Sequence, residues 1–463
     1  MSEDKHRPLG EIRLNRRTLL KGLAASTGLA LLAACGSSDS GSGSGSGGAQ
    51  TTTTTAAAGT GAGGGARSGG PVTINWFAGR DTSGHTPKQV EAFNAQSNNI
   101  KINYQEQGAN TDQLREKLVT VLSAKDSAAD LVSLDVPFVP EFAAAGWVTT
   151  VDDALPQGER GQFFKGTLDG ATYDGKLYGV PWYNNGPGLF YRKDLLDAAG
   201  IQPPKTYDQL LDAAKRLQTP EVNGFIAQTG QNEGGMITWL EYLWGHGGDI
   251  VDDKLNVVVD RGTAGVDALQ KLLDFMYKDR ILPEATLTML VGNDATNVFT
   301  DGRAAFLRFW LSGTQGFDGE QSKIKGKWGV TTLPSKTGQQ AGPGCLGTWN
   351  LGISAFSRYP KETAEAIRFL TSQDQQKGRY IGNVSLPTRP AVFDDTDVKA
   401  KYNYVDAIRP ALDNLKPRPV TPFYGQMSAD ALRPNFGAAM TRGKAPDQAI
   451  RDMAAKLKEI VKG

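Results

Sequence analysis

With 463 residues the chain is longer than a single hydrophobic core usually organises, which predicts at least two domains. Its 50 Lys and Arg against 49 Asp and Glu leave a net charge of +1, without the basic surplus that a phosphate backbone demands, so no nucleic-acid partner is expected. Two cysteines and three histidines (His6, His85 and His246) leave little from which to build a disulfide scaffold or a zinc site, and neither metal nor cofactor is expected.

The chain opens polar and basic, with Arg13, Arg16, Arg17 and Lys21, then runs weakly apolar from Gly22 to Ala34 and stops at Cys35. That run falls short of the roughly 20 residues a helix needs to span a hydrocarbon core, and the order of basic start, apolar run and small residues reads as a secretory signal over 1–34. Arg16-Arg17, inside Asn-Arg-Arg-Thr-Leu-Leu-Lys, resembles the twin-arginine export signal. Leu32-Ala33-Ala34-Cys35 resembles the lipobox of bacterial lipoproteins, which implies cleavage before Cys35 and a lipid on its thiol; the alternative is a soluble secreted protein with an incidental cysteine. Loss of 1–34 removes six basic and three acidic residues and takes the charge to −2. From Gly36 to Gly70 the sequence is Ser, Gly, Thr and Ala with almost no apolar bulk, so 35–70 is expected to be a lipid-anchored flexible linker with an r.m.s. span of roughly 30 Å. The other cysteine, Cys345, is left without a partner and reads as buried rather than reactive.

From Val72 the pattern becomes regular. Val72–Phe77 is rich in β-branched and aromatic residues and predicts a strand; Thr86-Pro87 opens a helix; Ile100–Tyr104 is a second strand. Thr111–Ala124 carries Leu114, Leu118, Val121 and Leu122 on one stripe and predicts a helix, followed by a strand over Leu131–Leu134 and a helix around Glu141–Ala145. The alternation continues with a helix over Thr206–Leu217, a strand over Gly224–Gln228, a helix over Val266–Lys278, and a helix end, tight turn and strand across Phe299–Leu307. A helix follows Pro360 to Leu370, and Ala445–Val461 forms a Lys-rich amphipathic helix. Short alternating units of this kind predict an α/β fold with mostly parallel sheets flanked by helices, whose ligands sit beyond the carboxyl ends of strands.

Several blocks resemble the family 1 extracellular solute-binding proteins of bacterial ABC sugar importers, in particular their maltose/trehalose-binding branch. They are Gly175–Trp182 followed by Leu189–Leu196, Phe299–Phe306 ending at Trp310, Gly347–Ser354, Phe369–Ser372 with Pro387–Arg389, and Pro417–Pro422 with Tyr424. The resemblance covers nearly all of 71–463. It implies a two-lobed periplasmic-binding-protein-like fold with the ligand in the inter-lobe cleft, lobe 1 being 71–183 plus 329–372 and lobe 2 being 184–328 plus 373–463. It also implies a non-enzyme, acting as a monomer, that captures a sugar such as trehalose or maltose by cleft closure and delivers it to a transmembrane permease from the extracytoplasmic membrane face.

A disaccharide presents many hydroxyls and a few flat C–H faces, so its site needs carboxylates, amides, Arg forks and aromatic rings. Trp310 and Trp349 stand in blocks that imply sugar stacking, with core packing as the other reading. Asp135, just after a strand, either accepts sugar hydroxyls or caps the helix before Pro137. Arg80 and Asp81 follow the first strand and are either ligand groups or a solvated turn. Glu233 resembles the family's ligand carboxylate on the second lobe, against an exposed loop acid. Arg389 forks onto hydroxyls or makes a structural ion pair. Thr348 and Tyr424 belong to the matching blocks. Asn184 and Asn185 stand where this branch often carries an acid, and Ala431 and Leu432 stand where maltose binders place aromatic stackers, which points to a short ligand. Two alternatives stay open: a carbohydrate-active hydrolase using Asp135 and Glu233 as an acid/base pair, and a binder of a glycerol phosphodiester or an oligosaccharide.

Overall fold

In the computed structural model the described residues are 71–463, apart from Thr82, Ala109, Asn110, Leu290, Val291, Val384, Asn403 and Gly463. The expected signal segment 1–34, lipid anchor at Cys35 and linker 35–70 lie outside them. The described body opens with β1 (Val72–Ala78), α1 (His85–Gln96), β2 (Ile100–Glu106), α2 (Thr111–Ser123), β3 (Leu131–Asp135) and α3 (Phe138–Ala144), close to the predicted alternation. On α2 the stripe Leu114, Leu118, Val121 and Leu122 is buried, as its spacing of three and four residues requires.

Two sheets organise the chain. The first is completed by β4 (Val148–Thr149) and β5 (Val180–Tyr183). The second contains β6 (Pro187–Arg192), β7 (Asn223–Ile226), β8 (Ala304–Trp310) and β9 (Trp328–Thr331). A last strand, β10 (Trp349–Ser354), returns to the first sheet. The first sheet runs β2-β1-β3-β10-β4, with β5 also pairing β10, and the second runs β9-β6-β8-β7.

The sheets are mixed rather than mostly parallel. Strands β1, β2 and β3 are parallel, but β10 is antiparallel to β3, β4 and β5. In the second sheet only β8 and β7 are parallel, and β6 runs antiparallel to both neighbours. The physical reason is connectivity: β6 and β10 each enter a sheet directly from the other lobe, without the crossover helix that a parallel connection needs. Strand β9 belongs to the second sheet, pairing Trp328–Thr331 with Leu189–Arg192, so the chain leaves that sheet after Thr331 and not at the expected boundary of 329.

Both faces of the second sheet are covered. Leu189, Phe225 and Phe306 pack into one core with Trp239, Leu240 and Met453, while their neighbours Phe190, Ile226 and Leu307 pack into another with Phe299, Phe317 and Phe393. This follows from the two-residue period of a strand buried on both sides, and it explains why β8 reads as an almost unbroken apolar run. In the first sheet Ile74, Trp76, Leu131, Leu351 and Ile353 pack with Val90 and Phe93 of α1 and with Ala364, Ile367 and Leu370 of the helix Pro360–Leu370. The turn ahead of β8 depends on Gly302, whose φ of +75° is costly for any side chain with a Cβ.

One charge interrupts the apolar run of β8. Arg308 is 2% exposed and donates from Nε to Oε2 of Glu241 at 2.8 Å, while its second fork reaches Oε1, which also accepts the amide of Cys345. Removing one partner leaves a buried charge uncompensated. Glu241→Gln or Arg308→Met is expected to cost about 3–5 kcal/mol, and the paired Glu241→Met/Arg308→Met replacement far less. Urea denaturation midpoints of the three variants check this.

Candidate functional site: a cleft between the lobes

The chain crosses between the lobes at 184–186, at 332–348 and between the helix Pro360–Leu370 and Leu386. The crossings are bonded to one another. Asn184 N–H donates to Leu386 O at 2.6 Å and Gly347 N–H donates to Asn185 O at 2.8 Å. The Thr348 hydroxyl donates to Asn184 Oδ1 at 2.9 Å. Gly347 is needed here, since a Cβ would meet Trp310 at 3.0 Å and Asn185 O at 3.2 Å.

Beside these crossings lies a cleft of about 1110 Å³. One wall comes from the carboxyl ends of β1 and β5 and the start of β10, with Arg80, Asp81, Ser83, Tyr104, Tyr183 and Trp349. The opposite wall comes from the helix Gly292–Thr300, the end of β8 and the segment after it, with Asn297, Asp301, Phe309, Ser312, Glu320 and Gln321. Tyr183 and Trp349 are near-parallel, 22° apart with centroids 6.4 Å apart, and give the first wall a flat aromatic surface. The rest is mostly hydroxyls, amides and a few charges.

Of the eleven residues the sequence singled out, four line this cleft: Arg80, Asp81, Asn185 and Trp349. Arg80 is exposed. Asp81 lines the cleft, but its carboxylate accepts the amides of Ser83 and Thr86 at 2.8 Å each, together with the Ser83 hydroxyl, so it organises the start of α1. Burial alone would raise its pKa, but these bonds outweigh that and hold it below the usual carboxylate value. Asn185 donates from Nδ2 to Ser312 Oγ at 2.9 Å and so braces the two walls at the crossing.

The structure does not bring the other seven to the cleft surface. Asp135, Glu233 and Tyr424 meet instead around Arg418, which the sequence did not single out. Arg418 Nη2 donates to both oxygens of Asp135 at 3.1 and 3.2 Å, and Nη1 donates to Glu233 Oε1 at 3.1 Å. The Tyr424 and Ser428 hydroxyls donate to Glu233 at 2.5 Å. Burial alone would lower the pKa of Arg418, but Asp135, with Cys345, Tyr424 and Glu233, more than reverses that and holds the guanidinium charged. Asp135 ends β3 of the first sheet and Glu233 opens the helix Glu233–Gly245 of the second lobe, so Arg418 ties the lobes together.

Asn184 and Thr348 are the buried pair of the crossing described above. Trp310 packs between the two cores of the second lobe under the Arg308 guanidinium, 4.9 Å from its ring. Arg389 is structural: Nε donates to Thr371 O at 2.9 Å, another arm donates at 2.5 Å to Gln162, and the guanidinium lies 4.1 Å over the Phe163 ring. Cys345 is a buried free cysteine whose thiol burial pushes up to about 12, which removes it from nucleophilic chemistry. Among the described residues no group of three or more His, Cys, Asp or Glu could hold a metal ion, and no helix is long and apolar enough to cross a membrane.

The sequence missed most of the second wall, and Tyr183 and Arg379 on the first. Tyr183 was within reach, since it sits between the end of the block Gly175–Trp182 and the Asn184-Asn185 pair.

A family model for bacterial extracellular solute-binding proteins matches residues 81–377. The chain belongs to that family. Among solved structures, maltose-bound MalE3 of T. maritima is 34% identical, covers 84% of this chain and 99% of its own, and superposes with a TM-score of 0.77. A probable ABC transporter-binding protein of Deinococcus radiodurans is 29% identical over 354 residues, 73% of this chain and 81% of the relative. The galactooligosaccharide-binding protein of Bacillus subtilis is 26% identical over 304 residues, 64% of this chain and 69% of the relative. The fold is the two-lobed, MalE-like α/β architecture.

Two tests follow from the ionic groups at this site. Arg418→Met leaves Asp135 and Glu233 without their shared cation and is expected to destabilise the fold by about 3–5 kcal/mol, read as a lowered denaturation midpoint. His85, near the cleft, is held neutral: burial first, then the Arg379 and Lys88 charges, lower its pKa from 6.5 to about 4, against the pull of Asp81. Between those values the unfolded chain binds the proton that the folded chain refuses. Stability from His85 is therefore complete above pH 6.5 and lost as pH falls toward 4. Midpoints measured from pH 7.5 down to 4.5 should fall across this window, and less steeply in His85→Gln.

Proposed function

We propose that the chain is the substrate-binding lipoprotein of an ABC importer and that it captures a sugar, a disaccharide of the trehalose or maltose class, by closure of the cleft. The observation that carries this reading is the cleft itself: a flat pair of rings, Tyr183 and Trp349, facing a wall of hydroxyls and amides. Rings of this kind cover the C–H faces of a pyranose, and amides and hydroxyls both donate and accept, as sugar hydroxyls require. The cleft volume, about 1110 Å³, slightly exceeds the usual range of roughly 300–1,000 Å³ for small-molecule sites and suits more than one sugar ring. The likeness to a maltose-bound protein at 34% identity supports the same ligand class.

In this reading Arg80, Asn185 and Trp349 contact the ligand, and the remaining singled-out residues hold the frame around it. Sugar touching both walls favours the closed arrangement, which then docks on the membrane permease. Anchoring through a lipid on Cys35, with 35–70 as the tether, would keep the body at the extracytoplasmic face. A hydrolase is disfavoured by Arg418, which engages both Asp135 and Glu233 and leaves neither free to act as the acid or base of a glycosidase pair.

Thermal unfolding against trehalose, maltose and longer maltodextrins tests the proposal. A ligand at 100 times its dissociation constant adds about 2.7 kcal/mol to the folded state, and the sugar should be recovered intact. No shift with any sugar, or a sugar consumed during incubation, would sink it. Trp349→Ala, which deletes a stacking face worth about 1.5–3 kcal/mol, is expected to weaken binding roughly tenfold to a hundredfold by calorimetry.

A further inference from the structure

Three arginines of the described body are 5% exposed or less: Arg308, Arg379 and Arg418. Arg308 has Glu241 and Arg418 has Asp135 and Glu233, but Arg379 makes no ion pair among the described residues. It also lines the cleft. Its Nη1 donates to two neutral groups, Thr86 Oγ1 at 3.0 Å and Gln89 Oε1 at 3.3 Å, and its buried Nε has no acceptor. The guanidinium lies 4.2 Å from the ring centroid of Trp182 and 4.6 Å from that of Tyr183, which fixes it against the aromatic wall. Arg389, slightly less buried at 8%, is not comparable: it lines no part of the cleft and spends its donors on Thr371 and Gln162.

A buried, unpaired cation is costly, and proteins ordinarily place a counter-charge beside it. The acid whose field Arg379 feels, Asp81, cannot serve in full, because its oxygens are engaged by Ser83 and Thr86. Arg80, exposed on the same wall, adds a second positive charge. The opposite wall carries the acids Asp301 and Glu320. Arg303 pairs Asp301 at 3.0 Å, so the polarity of the cleft rests on Arg379 and Arg80 beside the aromatic rings and on Glu320 across from them.

We propose that the sugar this cleft takes carries a carboxylate, as a uronic-acid unit does, and that the carboxylate seats at Arg379. This rests on the sugar-binding reading and puts an acidic sugar in place of the neutral trehalose or maltose class. A planar carboxylate matches the guanidinium fork, and its single charge answers the one buried cation of this wall that has no ion pair among the described residues. A dianionic phosphate would meet Asp81 on one side and Asp301 and Glu320 on the other. The polarity also orients the ligand, acid end toward Arg379 and neutral polyol end toward Asp301 and Glu320.

Calorimetry on the whole chain tests this with matched pairs: cellobiouronate against cellobiose, digalacturonate against galactobiose, and maltobionate against maltose, with trehalose and trehalose 6-phosphate alongside. At least one carboxylated sugar should bind tenfold or more tighter than its neutral partner, as one charge-assisted fork implies. Arg379→Gln should erase that preference, so that the acidic and neutral members of each pair bind alike, and Arg379→Lys should retain only part of it. The wild-type comparison decides even if Arg379→Gln does not fold. Neutral sugars binding as well as or better than every carboxylated partner would overturn the inference and leave the sugar reading standing. Preference for the phosphorylated sugar would overturn the carboxylate assignment. Binding of no saccharide of either kind would overturn both readings.

Discussion

Everything in this molecule that concerns a ligand depends on the place where three strands of chain pass between the lobes and are stitched together at Asn184 and Asn185. Neighbouring residues of one crossing hold the other two: Asn184 binds Leu386 through its backbone and Thr348 through its side chain, and Asn185 binds Gly347. Bonds of this kind, buried and short, resist stretching but leave the lobes free to rotate about a common line. The cleft opens beside that line, with Asn185 also reaching Ser312 on the far wall. A change of a few degrees at the crossing therefore becomes a change in cleft width, which is the geometry of hinge closure.

Much of the frame was legible in the sequence, and the reason is local. The stripe on Thr111–Ser123, the β-branched run at Val72 and the proline at 360 each announce an element through its own residues. The pairing of those elements was not legible in the same way. The sheets are mixed because β6 and β10 arrive from the opposite lobe, a property of the path of the chain that no single stretch records. The assignment of Trp328–Thr331 to the second sheet is set by its pairing with β6, more than a hundred residues earlier.

The site was legible in part for the same reason. Residues placed by the ends of predicted strands, Arg80 and Asp81 after β1, do line the cleft. Asp135 and Glu233 also hold positions where a ligand group would stand, yet each is met by Arg418, 283 and 185 residues away in sequence. A charge partner at that distance leaves no periodic trace. The second wall was missed because its surface is serine, threonine, asparagine and glycine in a turn-rich stretch, and such residues look like an ordinary loop unless the facing wall is known. Arg379 was missed because a guanidinium in a polar helix looks solvated until Trp182 and Tyr183 are found against it.

The bridge at Arg418 carries a consequence for how tightly any ligand can be held. It links a carboxylate of one lobe to a carboxylate of the other, so it has a preferred lobe separation of its own, independent of whatever fills the cleft. Free energy invested in that preference is added to, or subtracted from, the free energy of capture, depending on whether the favoured separation is nearer the filled or the empty form. Measured affinity is then shared between the contact surface and a bond that lies off the cleft lining. Evolution, or an engineer, can retune the grip of such a protein for scarce or abundant solute by altering this hidden tie while leaving every ligand contact unchanged.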